Sequence, residues 1–502
     1  MPRADPAPEI TLGHGGAVRG QGQDELVRYL GIPYAAAPFG PHRLRAPRPA
    51  PAWTGVRAAT AMGPTAPKGA YPAAVQHLLP ELEIPGEECL NLNVWAPADG
   101  AALPVLVWVH GGAFVNGSGS LPEYDGSAFA RDGIVCVTLN YRLGAEGFLH
   151  LPDTEANRGV RDVIAALAWV RDEIARFGGD PGRVTIAGES AGAMLIATLL
   201  ATPAAEGLFT RAIMHSGAAA ATASAAQAEQ VTARLAALAG RPGTRAALAQ
   251  LSPAELVTLT GQTSASALAG DGDPLRAALA PRRRPFSPVI DGDLVPRSPL
   301  QASREGAGAE IEVLLCTTRD EGQLFLAPTG VLQRIDDALL TDAAEQLYGL
   351  SAAGLSAYRG NRPAATPGRI LSAIWGDHSF WIPALALAGA RVQARAPTWL
   401  ARFDAVREAD NDGLGSCHAS DVPFAFGTID LPQLAPRIGA HPSRAASDAL
   451  HGTWVAFAAG QDPGWAPYDF ERRPTALFTD TITVVEDPAA EERQAWPDAL
   501  QQ

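Results

Sequence analysis

One serine, flanked by glycines at the junction of a strand and a helix, constrains this 502-residue chain more than any other feature. The motif Gly188-Glu189-Ser190-Ala191-Gly192 follows the apolar run 184–187 and opens the helix-forming run 191–201. A strand, a tight turn and a helix in this order are typical of a nucleophile elbow, in which flanking glycines relieve crowding around a strained serine. We expect Ser190 to project from the edge of a sheet with a helix N-terminus behind it. An ordinary serine N-cap is the alternative interpretation.

Short apolar runs bounded by turns indicate buried strands elsewhere in the chain. They lie at residues 103–109, 134–139, 184–187, 211–214, 311–315 and 398–403. Between the second and third runs, residues 161–177 carry apolar side chains at helical spacing, and Gly178-Gly179 ends that helix. Strands that alternate with amphipathic helices predict an α/β protein with a mainly parallel central sheet and helices on both faces.

Three further stretches refine this α/β prediction. Residues 9–34 combine short apolar runs with glycine turns, which predicts a small N-terminal antiparallel sheet. Residues 218–280 and 331–394 are rich in Ala and Leu and predict helical insertions that form cap subdomains over an active site. Because no repeat or linker is visible, we expect residues 1–502 to form a single catalytic unit.

Composition excludes several classes of partner. The net charge of −14 and the pI near 5.2 disfavour nucleic-acid binding, which needs clustered Lys and Arg. No run approaches the ~20 apolar residues of a membrane span, and the first residues lack a signal-peptide pattern. We therefore expect a soluble, cytoplasmic protein. The composition leaves the oligomeric state open.

The cysteines and histidines do not predict a metal site or a disulfide scaffold. Cys89, Cys136, Cys316 and Cys417 are widely separated, and two of them lie inside apolar runs, so buried free thiols are expected. His110 has no second ligand at a zinc-like spacing. We expect neither a metal nor another cofactor.

A family resemblance becomes specific around the elbow. Residues 177–192 resemble the active-site signature of the type B carboxylesterases, the group that includes cholinesterases and bacterial para-nitrobenzyl esterases. Glu88-Cys89-Leu90-Asn91-Leu92-Asn93-Val94-Trp95 is similar to a second signature, with Glu88 in place of the usual Asp and Asn91 in place of Tyr or Thr. The resemblance covers nearly the whole chain. It implies the α/β-hydrolase fold and serine-dependent hydrolysis of carboxylic esters through an acyl-enzyme.

The partners of the serine follow it in this fold in the order acid, then histidine. His418 lies in a small-residue segment, 415–427, that resembles the His loop of the family. His215 comes too soon after the elbow, whereas His378, in a helical packing segment, stays the alternative base. Asp320-Glu321-Gly322 follows a predicted strand, and the resemblance implies Glu321 as the acid.

A glycine loop after the first parallel strand is the candidate oxyanion hole. His110-Gly111-Gly112-Ala113-Phe114 directly follows the run 103–109, and small residues let a backbone turn its N–H groups toward a developing oxyanion. The resemblance implies the N–H groups of Gly112, Ala113 and Ala191 as donors. A plain glycine turn is the alternative, and His110 is expected to hold the loop by hydrogen bonds.

Five further residues are expected near the site. Glu189 matches a family position and, with Ser216, either tunes the field around the triad or is a hydrogen-bonded structural acid. Phe114, Leu324 and Phe325 are candidates for an apolar substrate pocket, although such residues are also common in a core.

The substrate is expected to be a small neutral ester. Cholinesterases place a Trp that binds quaternary ammonium just before the second signature, and residues 60–87 contain no Trp. Short-chain and aromatic esters of broad variety are therefore expected, with amide or carbamate hydrolysis and a noncatalytic binding role as alternatives. A histidine of ordinary pKa would place the rise of activity between pH values of about 6 and 7.

Overall fold

A computed structural model of the chain describes residues 6–13, 15–219, 221–269, 274–280 and 284–496. The strands in these ranges are β1 (Pro6–Thr11), β2 (Ala17–Gln23), β3 (Leu26–Pro33), β4 (Val56–Ala58), β5 (Asn91–Pro97), β6 (Leu103–Val109), β7 (Val135–Leu139), β8 (Gly179–Glu189), β9 (Arg211–His215), β10 (Ala223–Ser224), β11 (Val289–Ile290), β12 (Glu312–Thr318), β13 (Thr398–Phe403), β14 (Pro474–Phe478) and β15 (Ile482–Glu486).

The α-helices in the same ranges are α1 (Ser127–Arg131), α2 (Gly144–Phe148), α3 (Arg158–Glu173), α4 (Ala191–Leu200), α5 (Ala225–Ala239), α6 (Arg245–Leu248), α7 (Pro253–Ala269), α8 (Pro274–Leu279), α9 (Pro299–Arg304), α10 (Gln323–Leu326), α11 (Asp337–Tyr348), α12 (Ala352–Asn361), α13 (Pro367–Gly376), α14 (Ile382–Gln393), α15 (Val422–Phe426), α16 (Ala435–Ile438), α17 (Arg444–Ala458) and α18 (Ala490–Gln494). None of these helices combines the length and the apolar character needed to cross a bilayer.

One large sheet runs through the molecule. Its order is β1-β2-β3-β5-β7-β6-β8-β9-β12-β13-β14-β15, with β4 beside β2. The central strands from β7 to β14 are parallel, which confirms the predicted α/β arrangement. The N-terminal strands are antiparallel, as expected, but β3 pairs with β5, so they extend the main sheet and do not form a separate one.

Apolar clusters cover both faces of the sheet. Along β6, Val105 and Val107 belong to one cluster, whereas Leu106 and Trp108 belong to the other. Because successive side chains of a strand point to opposite faces, the two clusters lie on opposite sides. Helices α3 and α4 pack on the first, and α17 packs on the second through Trp454.

Helix α3 ends as its sequence predicts. It runs into a short 3-10 turn at Ile174–Phe177, and Gly178 then adopts a φ of 84°, a left-handed conformation that favours glycine. Near its start, Asp162 accepts hydrogen bonds from Arg142 Nε at 2.8 Å and Nη2 at 2.6 Å. Both side chains are buried, so this ion pair fixes α3 to the chain that follows β7.

The helical content of the two predicted insertions is present within the described residues. Helices α5 to α8 fall within 218–280, and α11 to α14 fall within 331–394. Residues 220 and 270–273 of the first insertion lie outside the described residues. All four cysteines are buried with free thiols, as expected.

Candidate active site

The predicted strand, turn and helix are present around Ser190. Strand β8 ends at Glu189, α4 begins at Ala191, and Ser190 between them has φ 53° and ψ −120°. Such a conformation is costly for a residue with a Cβ and is held here by a hydrogen bond from Ser190 N–H to His215 O at 2.9 Å. A Cβ on Gly192 would lie 2.0 Å from Val109 O, so this position requires glycine.

His418 and Glu321 are brought together from loops after two neighbouring strands. Glu321 follows β12, and His418 lies in the loop after β13. His418 Nδ1–H donates to Glu321 Oε2 at 2.6 Å. The other carboxylate oxygen, Oε1, accepts from Ser216 Oγ at 2.6 Å and from Thr318 N–H at 2.9 Å. These contacts fix the carboxylate and, through it, the orientation of the imidazole.

A second carboxylate faces the other ring nitrogen. His418 Nε2 lies 2.9 Å from Glu189 Oε1. Ser190 Oγ makes no hydrogen bond within the described part of the chain. Such contacts are often long before substrate binds. Burial alone would lower the pKa of His418, but Glu189 and Glu321 together outweigh burial and raise it to about 9. If His418 is the base, the rise of activity with pH is expected above the interval of about 6 to 7 that an ordinary histidine predicts.

Aromatic rings hold the imidazole in place. The ring centroids of Phe325 and Phe380 lie 4.9 Å and 4.6 Å from that of His418. The alternative base, His378, does not line the cavity described below and packs instead against Tyr348 and Trp496.

The glycine loop after β6 presents free backbone donors beside Ser190. Gly112, Ala113 and Phe114 have φ values of 109°, 54° and 65°, and Gly112 O accepts from Asn116 N–H at 2.8 Å to close the loop. Within the described residues, the N–H groups of Gly112, Ala113 and Ala191 make no hydrogen bond. They are available to a substrate oxygen, as an oxyanion hole requires.

His110 supports this loop. Its Nδ1 lies 2.8 Å from Gly111 O, its ring stacks on that of Tyr141 at 4.4 Å, and Tyr141 Oη donates to His110 O at 2.9 Å. Burial lowers the pKa of His110 to about 3, so the ring is neutral. The expected loop-holding role is confirmed.

A cavity of about 700 Å³ opens at Ser190. Leu324 and Phe325, two of the candidates for the substrate pocket, line this cavity together with Trp375. Phe114, the third candidate for the pocket, is not among the residues that line this cavity. Its ring is fully buried and packs against Phe148 at 5.1 Å, in the core beneath the loop.

The sequence did not reveal a buried ion pair in the wall of this cavity. Arg437, from α16, contacts Glu123, which lies 314 positions earlier in the 3-10 turn Pro122–Tyr124. Tyr71 and Tyr124 line the same wall. Neither Glu123 nor Arg437 lies in a recognisable motif, and no pattern in the sequence links residues so far apart.

A second histidine–carboxylate pair lies beneath the elbow. His215 Nδ1 contacts Asp421, and His215 Nε2 accepts from Trp454 Nε1–H at 3.1 Å. Because indole is only a donor, this pattern fixes the neutral Nδ1–H tautomer of His215. One potential metal-ligand atom from each of His215, Cys316 and Asp421 lies within 4.8 Å of the other two. Both His215 nitrogens are already engaged and the cluster is buried, so it does not fit a metal.

Comparison with known proteins agrees with the geometry. The model of the carboxylesterase family matches residues 6–497. The chain is 38% identical to the para-nitrobenzyl esterase of Bacillus subtilis (strain 168), over 97% of this chain and 98% of that protein. It is 35% identical to the phenmedipham hydrolase of Pseudarthrobacter oxydans, over 88% of each.

Solved structures agree with the family match. A carboxylesterase of Geobacillus stearothermophilus at pH 6.2 superposes with a TM-score of 0.84 at 35% identity, covering 97% of this chain and 100% of that one. A structure of a para-nitrobenzyl esterase gives 0.82 at 35% identity, with 97% and 99% coverage. The chain therefore belongs to the carboxylesterase family and is a carboxylic-ester hydrolase with the α/β-hydrolase fold.

Proposed function

We propose that this enzyme hydrolyses short-chain and aromatic esters of broad variety through an acyl-enzyme on Ser190, with His418 as base and Glu321 as the acid that orients it. One observation carries the proposal. The 2.6 Å contact between His418 and Glu321 lies at the wall of the same cavity that Ser190 enters. A nucleophile, a base and a group that orients the base are thus collected at one opening.

The reaction follows from these positions. Neutral His418 removes the proton of Ser190 as Oγ attacks the ester carbonyl carbon, and the oxyanion accepts hydrogen bonds from the N–H groups of Gly112, Ala113 and Ala191. The imidazolium then donates its proton to the departing alcohol. Water repeats the attack on the acyl-enzyme and releases the carboxylic acid.

Two neighbours adjust the triad in this proposal. Ser216 holds the Glu321 carboxylate through its 2.6 Å hydrogen bond and so limits rotation of the acid. Glu189 faces Nε2 and stabilises the imidazolium that forms during each half-reaction.

The cavity wall supports the substrate class. Leu324, Phe325 and Trp375 supply apolar and aromatic surface near His418. Ala265 and Ala277, from α7 and α8, lie on the cavity wall, as does Trp375 from α13. These contacts support a role of both helical insertions as a cap over the site.

The test is removal of the nucleophile. Ser190→Ala is expected to lower kcat by about 10⁴-fold or more, with substrate binding nearly intact, because the oxyanion donors and the cavity survive loss of one hydroxyl. Para-nitrophenyl acetate and n-butyl acetate serve as substrates. An organophosphate is expected to label Ser190 stoichiometrically, as read by mass spectrometry of the digested protein.

A matched control separates this effect from a general loss of serine. Ser303 is buried in α9 and does not line the cavity, so Ser303→Ala is expected to retain activity. Near-normal turnover by Ser190→Ala, or labelling at another residue, would exclude Ser190 as the nucleophile.

A further inference from the structure

The buried ion pair in the cavity wall has no role in the chemistry proposed above. The side chains of Glu123 and Arg437 are 5% and 2% exposed, and both line the cavity. Arg437 Nη2 donates to Glu123 Oε2. The pair therefore lies where a bound substrate meets the protein.

This pair is poorly satisfied by its own surroundings. Arg437 Nε is buried and has no hydrogen-bond partner. Arg437 Nη1 makes only a 3.5 Å contact with Leu78 O, and Glu123 Oε1 accepts no hydrogen bond within the described residues. A buried ion pair offsets its desolvation only when the remaining donors and acceptors are also satisfied. Stability alone does not account for this arrangement.

The charged side chains around the Glu123–Arg437 pair give the cavity a net electrostatic charge. When His418 is neutral, as the proposed mechanism requires, the charges of Glu123 and Arg437 cancel. Burial raises the pKa of Glu189, and a neutral His418 removes the charge that favours its ionised form. The negative charge that remains is that of Glu321 behind His418, whose carboxylate accepts hydrogen bonds from His418, Ser216 and Thr318. The nearby Lys68 does not offset this charge, because its ammonium pairs with Glu81 at 3.4 Å. The reactive form of the site is therefore negative.

We propose that the Glu123–Arg437 pair sets the charge selectivity of the cavity: Glu123 neutralises Arg437 and so prevents the wall from binding a carboxylate. Uncharged esters are accepted, and esters that carry a carboxylate are rejected by the remaining negative charge. A neutral diester of a dicarboxylic acid is then cleaved once and released as its half-ester. The inference rests on the proposed function, because it concerns substrates of the same Ser190 site.

Unpairing Arg437 should reverse this selectivity. A guanidinium binds a carboxylate through two parallel hydrogen bonds, and Arg437 has donors to spare. Glu123→Gln removes the neutralising charge with little change of shape and turns the wall into a carboxylate receptor. Arg437→Gln does the opposite, because it leaves Glu123 without a neutralising partner.

The experiment compares matched neutral and anionic esters. Dimethyl and monomethyl adipate place the charge on the acyl side, and n-butyl acetate and 4-acetoxybutanoate place it on the alcohol side. In a pH-stat, the wild type is expected to consume one equivalent of base per dimethyl adipate, with kcat/KM for the half-ester about 100-fold lower. The readout is the ratio of kcat/KM for the anionic ester to that for its neutral match, so effects common to both esters cancel.

Variants of Glu123 and Arg437 test whether this ion pair determines the charge selectivity of the cavity. Glu123→Gln is expected to raise the ratio about tenfold in at least one substrate pair, and Arg437→Gln is expected to lower it. The apolar double variant Glu123→Leu/Arg437→Met removes both charges, is expected to fold, and should keep the wild-type ratio to within about threefold. Circular dichroism melting verifies that each variant is folded.

The outcomes separate this inference from the proposed function. Equal rates of the wild type on half-ester and diester overturn the charge selectivity. If Glu123→Gln folds and its ratio is unchanged for both substrate pairs, the proposed role of the ion pair is overturned. If the single variants fail to fold, a change of more than about threefold in the ratio of the double variant overturns it instead. Failure of the wild type on dimethyl adipate and n-butyl acetate alike counts against the proposed function itself.

Discussion

At the scale of single residues, the imidazole of His418 lies between two carboxylates. Glu321 faces Nδ1 of His418 and Glu189 faces Nε2. Both carboxylates favour the protonated ring. In the proposed mechanism they therefore stabilise the imidazolium and lower the fraction of neutral base at neutral pH.

The pH profile tests this balance. Because the base must be neutral and its pKa is raised to about 9, kcat/KM for a neutral ester is expected to rise with pH above 7. Glu189→Gln removes one of the two carboxylates, so the pKa of His418 falls and the rise moves to lower pH. The measurement is kcat/KM from pH 5 to 10 for both proteins.

A surface substitution provides the control for the pH profile. Glu305 lies at the exposed end of α9, and Glu305→Gln is expected to leave the profile unchanged. An identical midpoint for Glu189→Gln and the wild type would contradict the assigned role of Glu189.

At the scale of elements, the loop after β6 depends on backbone conformations that side chains resist. A Cβ on Gly112 would lie 2.2 Å from Asn116 O, in a residue with φ 109°. Gly112→Ala is expected to displace the N–H groups of Gly112 and Ala113 and to lower kcat by about 10²-fold to 10³-fold, the usual effect of losing one oxyanion donor.

Gly133→Ala is the control, because it also places a Cβ on a residue of positive φ but causes no steric clash. Gly133 has φ 79° in the turn before β7, and a Cβ there meets nothing within 4 Å. Gly133→Ala is expected to lower stability slightly while kcat stays near that of the wild type. If both variants lose kcat equally, the loss reflects backbone strain in general and not the oxyanion loop.

Local pattern predicted the elements well because their signals lie within a few residues. The strand, elbow and helix at Ser190, and the end of α3 at Gly178, follow from adjacent residues. The position of Phe114 does not, because a φ of 65° turns its ring into the core. Two pairings join segments that are distant in the chain: β3 with β5, and Glu123 with Arg437. The sequence contains no local signal that predicts either pairing.

At the scale of the whole molecule, buried ion pairs connect different segments of the chain. Arg142 and Asp162 connect the chain after β7 to α3 and are 2% and 0% exposed. Removing one partner of such a pair leaves an uncompensated buried charge. Loss of one partner is therefore expected to cost more stability in this pair than in an exposed pair.

Asp162→Asn tests this expectation. It is expected to lower the free energy of unfolding by about 3 kcal/mol, because Arg142 loses its counter-charge in the interior. The matched control is Asp342→Asn, which removes the partner of Arg276 in a pair nearly half exposed on each side and is expected to cost less than about 1 kcal/mol. Urea denaturation followed by circular dichroism measures both, and equal losses would contradict the distinction.

The separation of the triad along the chain also bears on how the protein is made. A chain growing at about 5–20 residues per second carries Ser190 long before it carries His418, which follows Glu321 by 97 residues. If His418 is the base, as proposed, we expect no esterase activity until β13 has paired with β12 and the loop that carries His418 has formed. In a cell-free synthesis, the first ester cleavage is then expected only after the segment that carries His418 has been made.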